Sequence, residues 1–416
     1  MRLHTPAINY RHLILLIPII TYLVYISYGL NLRDYADDRF FLSAFQQGDV
    51  VEFLKKRYMT WSGRLSIELL IVYTIGYSAF WKIGVPLAII IGCYSSCRIV
   101  AKRVTLPLFS LSFLLYALIP LNLNIGSAWW ITGFYNYLLP ISIALYVFSV
   151  AYRSNNKAEK AASLALAFFF PYMEQVGLCF TIATIVMLAT KAERRCNFNY
   201  LLLALVAINT GICVFAPGNF VRSLHETWSW FPQYQYYGTA TKIALGLDKI
   251  HQLMTFKGNV PLIACFGMIS YIGIASIPKS FAVISSSIIL AIYTSLLIAL
   301  GLSEHAISDS FMSGKTIFST QWDNTAVLLS NSLMLISIVS SFTVLLSLIK
   351  HDERITISAI AMLIGYMSVM MMGFSPTVYA SGMRVDYIFE FMFILSCCSL
   401  VSLLPSLSKF QSISNR

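Results

Sequence analysis

Residues 64–80, RLSIELLIVYTIGYSAF, admit two readings that lead to opposite topologies. As a membrane span they invert every later loop and carry Arg98, Lys102 and Arg103 to the outer face. As a helix lying along the outer membrane surface, with Arg64 and Glu68 on its wet side, they leave the later connectors obeying the rule that cytoplasmic loops hold the Lys and Arg excess. The charge count selects the second reading. With the N-terminus cytoplasmic, the inner segments RIVAKRV, YRSNNKAEK, KAERRCN, PKS and KHDER and both tails hold 16 Lys/Arg and 4 Asp/Glu, a net of +12. The rest of the chain holds 13 and 14, a net of −1, and the two parts return the formal +11. The basic excess is therefore an orientation signal, and nucleic acid is not needed to explain it.

The composition places that segment in a membrane protein. Of 416 residues 58% are hydrophobic and 11% charged, and the mean hydropathy is +0.72; a soluble domain is about a quarter charged. Hydropathy predicts an all-α polytopic chain of about twelve transmembrane helices in one domain, 1–416. The expected spans are 12–30, 80–97, 105–121, 137–152, 160–173, 176–190, 199–215, 260–277, 281–301, 327–349, 355–373 and 387–404. The first has no small-residue cleavage site and reads as a retained helix. Both termini then face the cytoplasm. The eight cysteines all fall in spans or inner loops, so no disulfide framework is expected.

The inner connectors are short, whereas the outer segments 31–79, 122–136, 216–259, 302–326 and 374–386 are long and hold most of the unusual residues, so a site is expected to face outward. In the first of these, LNLRDYADDRFFLSAF (30–45), the spacing of Phe41 and Phe45, then of Val50 and Leu54, predicts short helices on the membrane interface, with Gly48-Asp49 as break and new cap. Asp34 or Asp38 suits a helix cap, but capping explains one aspartate and not three. Asp37 and Asp38 project roughly 100° apart on a helix, so they cannot share one task.

Arg64 in YMTWSGR, Arg222 in APGNFVR and Arg384 in FSPTVYASGMRVDY recur at one depth from distant loops. Each alone reads as a snorkelling arginine. Together they suit a phosphate, which guanidinium groups grip bidentately. WWITGFYNYLLP (129–140) reads first as an aromatic interface belt. Its Trp130, Asn136 and Tyr137, with Glu174 of PYMEQVG and Asn219, also supply the flat apolar faces and hydrogen-bonding groups of a sugar site. No spacing of ligands singles out a metal, although the outer acidic residues have oxygen chemistry for a divalent cation.

A lipid phosphate held by arginines beside a carboxylate suggests displacement of that phosphate from a sugar's anomeric carbon. The phosphate leaves without a general acid, and one base, Asp37 or Asp38, takes the acceptor hydroxyl's proton. Attack in line inverts the anomeric carbon.

The DD after the first span resembles the GT-C glycosyltransferases that use polyprenyl-phosphate sugars. Within that class DDRF, WSGR, TGFYNYLLP, APGNFVR and SGMR resemble the phage- or prophage-encoded, serotype-converting O-antigen glucosyltransferases, over nearly the whole chain. The resemblance implies undecaprenyl-phosphate-glucose as donor and lipid-linked O-antigen as acceptor, on the periplasmic side of the bacterial inner membrane. It also implies functional dependence on a donor-synthesising glucosyltransferase and a flippase. By position Asp37 and Asp38 carry over as base candidates, and Arg64, Arg222 and Arg384 as charged positions. Two other classes compete: an O-antigen polymerase or ligase, which rests on a large late outer loop, and a lipid-linked-sugar flippase or transporter, which needs ionisable sites near mid-membrane. The loop 216–259 is modest, and no repeated halves are visible.

Overall fold

A chain this apolar must satisfy its backbone polar groups internally, and it does so with helices; among the described residues there is no strand. The computed structural model describes residues 14–47, 49–275, 280–302 and 325–404. Most of the expected outer segment 302–326 lies outside them. In chain order the principal helices are α1 (Leu16–Gly29), α2 (Ala36–Gln47), α3 (Val50–Thr60), α4 (Leu65–Thr74), α5 (Ser78–Val100), α6 (Leu106–Ala117), α7 (Leu121–Gly126), α8 (Ile131–Arg153) and α9 (Lys157–Leu166). They continue as α10 (Glu174–Thr190), α11 (Asn197–Val214), α12 (Pro217–Trp230), α13 (Thr239–Met254), α14 (Val260–Ala275), α15 (Phe281–Leu302), α16 (Thr325–Leu348), α17 (Glu353–Met370) and α18 (Tyr387–Leu403). Among the described residues seven are long and apolar enough to cross a membrane: α5, α8, α11, α15, α16, α17 extended to Phe374, and α18 extended back to Arg384. Shorter apolar helices are α1, α4, α6, α10 and α14. The chain is a helical, membrane-embedded protein.

The 64–80 segment resolves into a short helix. α4 has 10 residues, about 15 Å at 1.5 Å per residue, half of a bilayer core. Its Glu68 is not on a wet side, as the sequence suggested. Glu68 is 3% exposed and takes a bidentate grip from Arg57, whose Nη2 and Nε lie 2.8 and 3.0 Å from its carboxylate oxygens. Arg57 in turn lies over the rings of Phe40, Phe41 and Trp61. Burial of an apolar face on α4 carries the glutamate inward, and the arginine on α3 neutralises it. Two short helices, α2 and α3, form where the sequence predicts helices after the first span, with Asp49 capping α3 through Glu52 N at 3.0 Å.

Two other boundaries shift for local reasons. α8 starts six residues before the expected 137, so TGFYN lies in the helix and not in a loop. The cause is a π turn at Phe134–Leu138 that lets the helix pass Pro140, which has no N–H to give to Asn136. The expected span at 160–173 stops at Leu166, ahead of a turn at Phe170–Tyr172 that contains Pro171.

α18 runs through the middle of the bundle. Fifteen of its 17 residues are buried, as expected for a helix apolar all round. α5 and α8 close on it at Gly92, where an added Cβ would lie 2.6 Å from Phe391 and 3.0 Å from the Ser142 hydroxyl. Its N-terminal end delivers Arg384 and Asp386 to the same end of the bundle as Arg64 and Glu174. α12 shows the opposite pattern. Its Phe220, Val221, Leu224 and Trp228 point outward as an exposed stripe, and Arg222 and Glu226 share another side, the arrangement of an amphipathic helix.

Candidate active site

Two glycines, Gly63 and Gly218, join motifs 155 residues apart. A Cβ on Gly63 would stand 2.0 Å from the Cys213 carbonyl oxygen, and one on Gly218 would stand 2.3 Å from the Trp61 amide nitrogen. Only glycine permits each backbone to approach the other this closely. The WSGR turn and the APGN turn therefore interlock, and the arginine following each is carried to the same place. Asn219 serves this junction: its Nδ2 donates to Cys213 O (2.7 Å) and Val214 O (3.2 Å), capping the end of α11. Its amide nitrogen is committed to the backbone, where the sequence had suggested sugar binding.

Glu174, the first residue of α10, receives both arginines. Arg64 Nη2 is 2.8 Å from its carboxylate and Arg222 Nη2 3.9 Å. Arg222 is also 3.9 Å from Glu226, four residues along α12. Burial opposes the charge on Arg64, yet Glu174 beside it keeps the guanidinium pKa above its ordinary value. Glu226 is pushed above the usual carboxylate range by burial, while Arg222, Arg64 and Arg384 pull it the other way. All three predicted arginines thus act on one carboxylate. Three guanidinium groups face two carboxylates, so the cluster holds spare positive charge, and its paired side chains remain about a fifth exposed.

The aspartate pair divides. Asp38 is 1% exposed. Its Oδ1 accepts from Thr132 N (2.8 Å) and Thr132 Oγ1 (2.5 Å), and its Oδ2 accepts from Arg33 N (3.1 Å). One turn along the same face of α8, Asn136 donates to Thr132 O (2.9 Å) and accepts from Arg64 Nη1 (2.9 Å). Asp38 and Arg64 therefore attach to α8 about 6 Å apart along its axis. Asn136 orients Arg64, and Tyr137, the next residue, is buried at 8% exposed. Asp37, by contrast, is exposed on the first turn of α2. The residue before it, Ala36, has φ +55°, a left-handed conformation that costs an alanine roughly 1–3 kcal/mol and persists only where neighbours impose it. The three donors on Asp38 supply that restraint.

Trp130 anchors the third arginine. The guanidinium carbons of Arg384 and Arg33 each lie 5.5 Å from its ring centroid, and Arg33 Nη2 donates to Ile125 O at 2.7 Å. Arg384 Nε is buried without a hydrogen bond. Behind it, Lys249 on α13 donates to Gly382 O (2.9 Å) and pairs with Asp386 (3.3 Å), one residue on each side of the Met383–Val385 stretch.

Glu226, Arg33 and Thr132 are site residues that sequence reasoning missed. Glu226 carried a readable signal, since it stands at i+4 from Arg222. Arg33 lay within the quoted acidic stretch. Thr132 carried none. Among the described residues no three His, Cys, Asp or Glu side chains gather as a metal site. Comparison with family models, curated proteins and solved structures returned no match.

Proposed function

We propose that this chain is a GT-C-like glycosyltransferase of about twelve spans. In this reading it sits in the bacterial inner membrane with both termini cytoplasmic and transfers glucose from undecaprenyl-phosphate-glucose to a hydroxyl of lipid-linked O-antigen on the periplasmic side. The observation that carries the reading is the convergence of Arg64, Arg222 and Arg384 around Glu226, tied through Asn136 and Thr132 to the acidic pair on α2. The surplus cations suit the single charge of a phosphodiester.

The steps follow from the side chains. The lipid phosphate displaces Glu174 and Glu226 as partner of the guanidinium groups, and Arg384 stays pinned to Trp130. Asp38 is committed to three donors and closed to water, so it positions the turn. Asp37, its exposed neighbour, is the base. It takes the proton of the acceptor hydroxyl while that oxygen attacks the anomeric carbon from the face opposite the phosphate. The carbon–oxygen bond to the phosphate breaks with its electron pair, and the arginines stabilise the charge that grows on the departing lipid phosphate. The anomeric carbon is inverted.

A polymerase, ligase or transporter remains the competing class. The buried Lys249, Asp386 and Glu390 are the feature a transporter would use, but Lys249 and Asp386 brace the Arg384 turn and Glu390 is bonded to Asn259. The test is linkage analysis of O-antigen from cells with and without this chain, supplied with a donor-synthesising enzyme and a flippase. A new glucosyl branch that needs both chain and donor is the expected result, and identical linkages in the two cell lines would contradict it.

A further inference from the structure

Beside the arginine cluster, a second concave region opens between the turn at 117–122 and the end of α13. It is a cleft of about 780 Å³ whose walls include Pro120, Asn122, Gln252, Thr255, Phe256 and Val260. Its origin is helix length. α6 has 12 residues and α14 has 16, about 18 and 24 Å, both short of a core of about 30 Å. At the cleft the chain is non-helical over residues 118–120, after α6, and 255–259, ahead of α14. Such backbone is tolerated where it is buried in protein or lines a wet cavity.

The wall chemistry is mixed. Gln252 Oε1 accepts from Lys249 Nζ at 3.1 Å, which leaves the two N–H donors of the same amide for the cleft. Asn122 is exposed on the opposite wall, and Phe256 presents a half-buried ring. Paired amides meet vicinal hydroxyls, and an aromatic face meets the C–H face of a sugar ring. The volume lies within the roughly 300–1,000 Å³ of sites for small ligands. Both walls lead to the arginine site. From Gln252 the path runs through Lys249 to Gly382 and Asp386, which flank Arg384. From Asn122 it runs along α7 to Ile125, whose carbonyl holds Arg33.

We propose that this cleft is a saccharide site that holds the repeat units of the acceptor next to the hydroxyl being modified. The assignment rests on the transferase reading for its role, but the binding itself does not. The test uses the full-length protein in nanodiscs and O-polysaccharide fragments of one and two repeat units released from lipopolysaccharide. Saturable fragment binding is expected. Asn122→Trp, which fills the cleft from an exposed wall, and Gln252→Ala should each weaken it at least tenfold, while Arg64→Ala leaves it unchanged. In turnover, Asn122→Trp should raise KM for acceptor and leave KM for donor alone. Fragment binding by wild type with no transferred sugar in cells would sustain the cleft and remove the transferase reading. Equal fragment binding by wild type and both cleft variants, or saturation of the cleft by lipid tails with no response to the saccharide, would overturn the proposal.

Discussion

Two charged clusters lie a few residues apart at one end of this bundle, and they are built on opposite terms. In the first, Arg64, Arg222, Glu174 and Glu226 keep 19–24% of their side-chain surface exposed, and cations outnumber anions once Arg384 is counted. In the second, Lys249 and Asp386 are 1% and 0% exposed and paired one to one; Glu390, a turn further along α18, takes Asn259 Nδ2 at 2.7 Å. A partly wet cluster with surplus charge can trade an internal carboxylate for an anion from outside. A sealed, balanced pair cannot, and it serves to hold the Arg384 turn in place. Burial and charge balance together therefore separate a site for ligand from a support, although both consist of Arg, Lys, Asp and Glu at similar depth.

The sharpest way to break this division is through the acidic pair. If Asp37 is the base and Asp38 the support, Asp37→Asn should lower turnover by about 10²–10⁴-fold with no loss of thermal stability. Asp38→Ala should instead lower the melting temperature, since removing one buried acceptor strands donors at about 1–3 kcal/mol each. Matched thermal scans and turnover rates of the two variants separate the roles; reversed behaviour would exchange them.

Next in size is the contrast between ion pairs. Lys249→Met leaves Asp386 buried without its counter-charge, and the expected loss is about 3–5 kcal/mol of stability. Arg64→Ala breaks a pair that is a fifth exposed, so after solvent screening its stability cost is at most about 1 kcal/mol, yet donor affinity should fall at least tenfold. Denaturation and donor titration of both variants provide the check. A donor-binding loss in Lys249→Met alone, with stability intact, would merge the two clusters into one.

The smallest expected effect concerns pH. Burial holds the Glu226 pKa above its ordinary 4.5, so the fold favours the neutral form, and that contribution is present at low pH and lost as pH rises through the raised value. Neutral Glu226 frees Arg222. Affinity for undecaprenyl-phosphate-glucose, a diester whose charge is constant, should therefore rise a few-fold as pH falls from neutrality through that raised value. In Glu226→Gln it should be flat at the acid-limit value.

Much of this was legible from residue types and spacing. The arginines could be found because three recurred after Gly- or Pro-containing turns, and the helices α2 and α3 because Phe41 and Asp49 stood where a surface helix needs them. What distinguished Asp37 from Asp38 was not legible, because Thr132, 94 residues away, reaches Asp38 only through tertiary packing. Glu68 was misjudged for a related reason: a glutamate on a greasy helix reads as wet until its partner, Arg57 on another helix, is located. Lys249 escaped notice because LDKIH (247–251) looks like the polar face of an amphipathic helix, and only packing of α13 on the Arg384 turn buries it. Gly63 and Gly218 were legible as turn residues, while their mutual contact is purely tertiary.

The central claim is that the guanidinium cluster accepts a lipid phosphate. Its most direct test is titration of undecaprenyl phosphate into the nanodisc-embedded protein, comparing wild type with the Arg64→Ala, Arg222→Ala double variant at moderate ionic strength. Loss of two charge-assisted contacts should weaken binding about 100-fold, two tenfold steps of about 1.4 kcal/mol each. Affinity within a factor of two of wild type would contradict it.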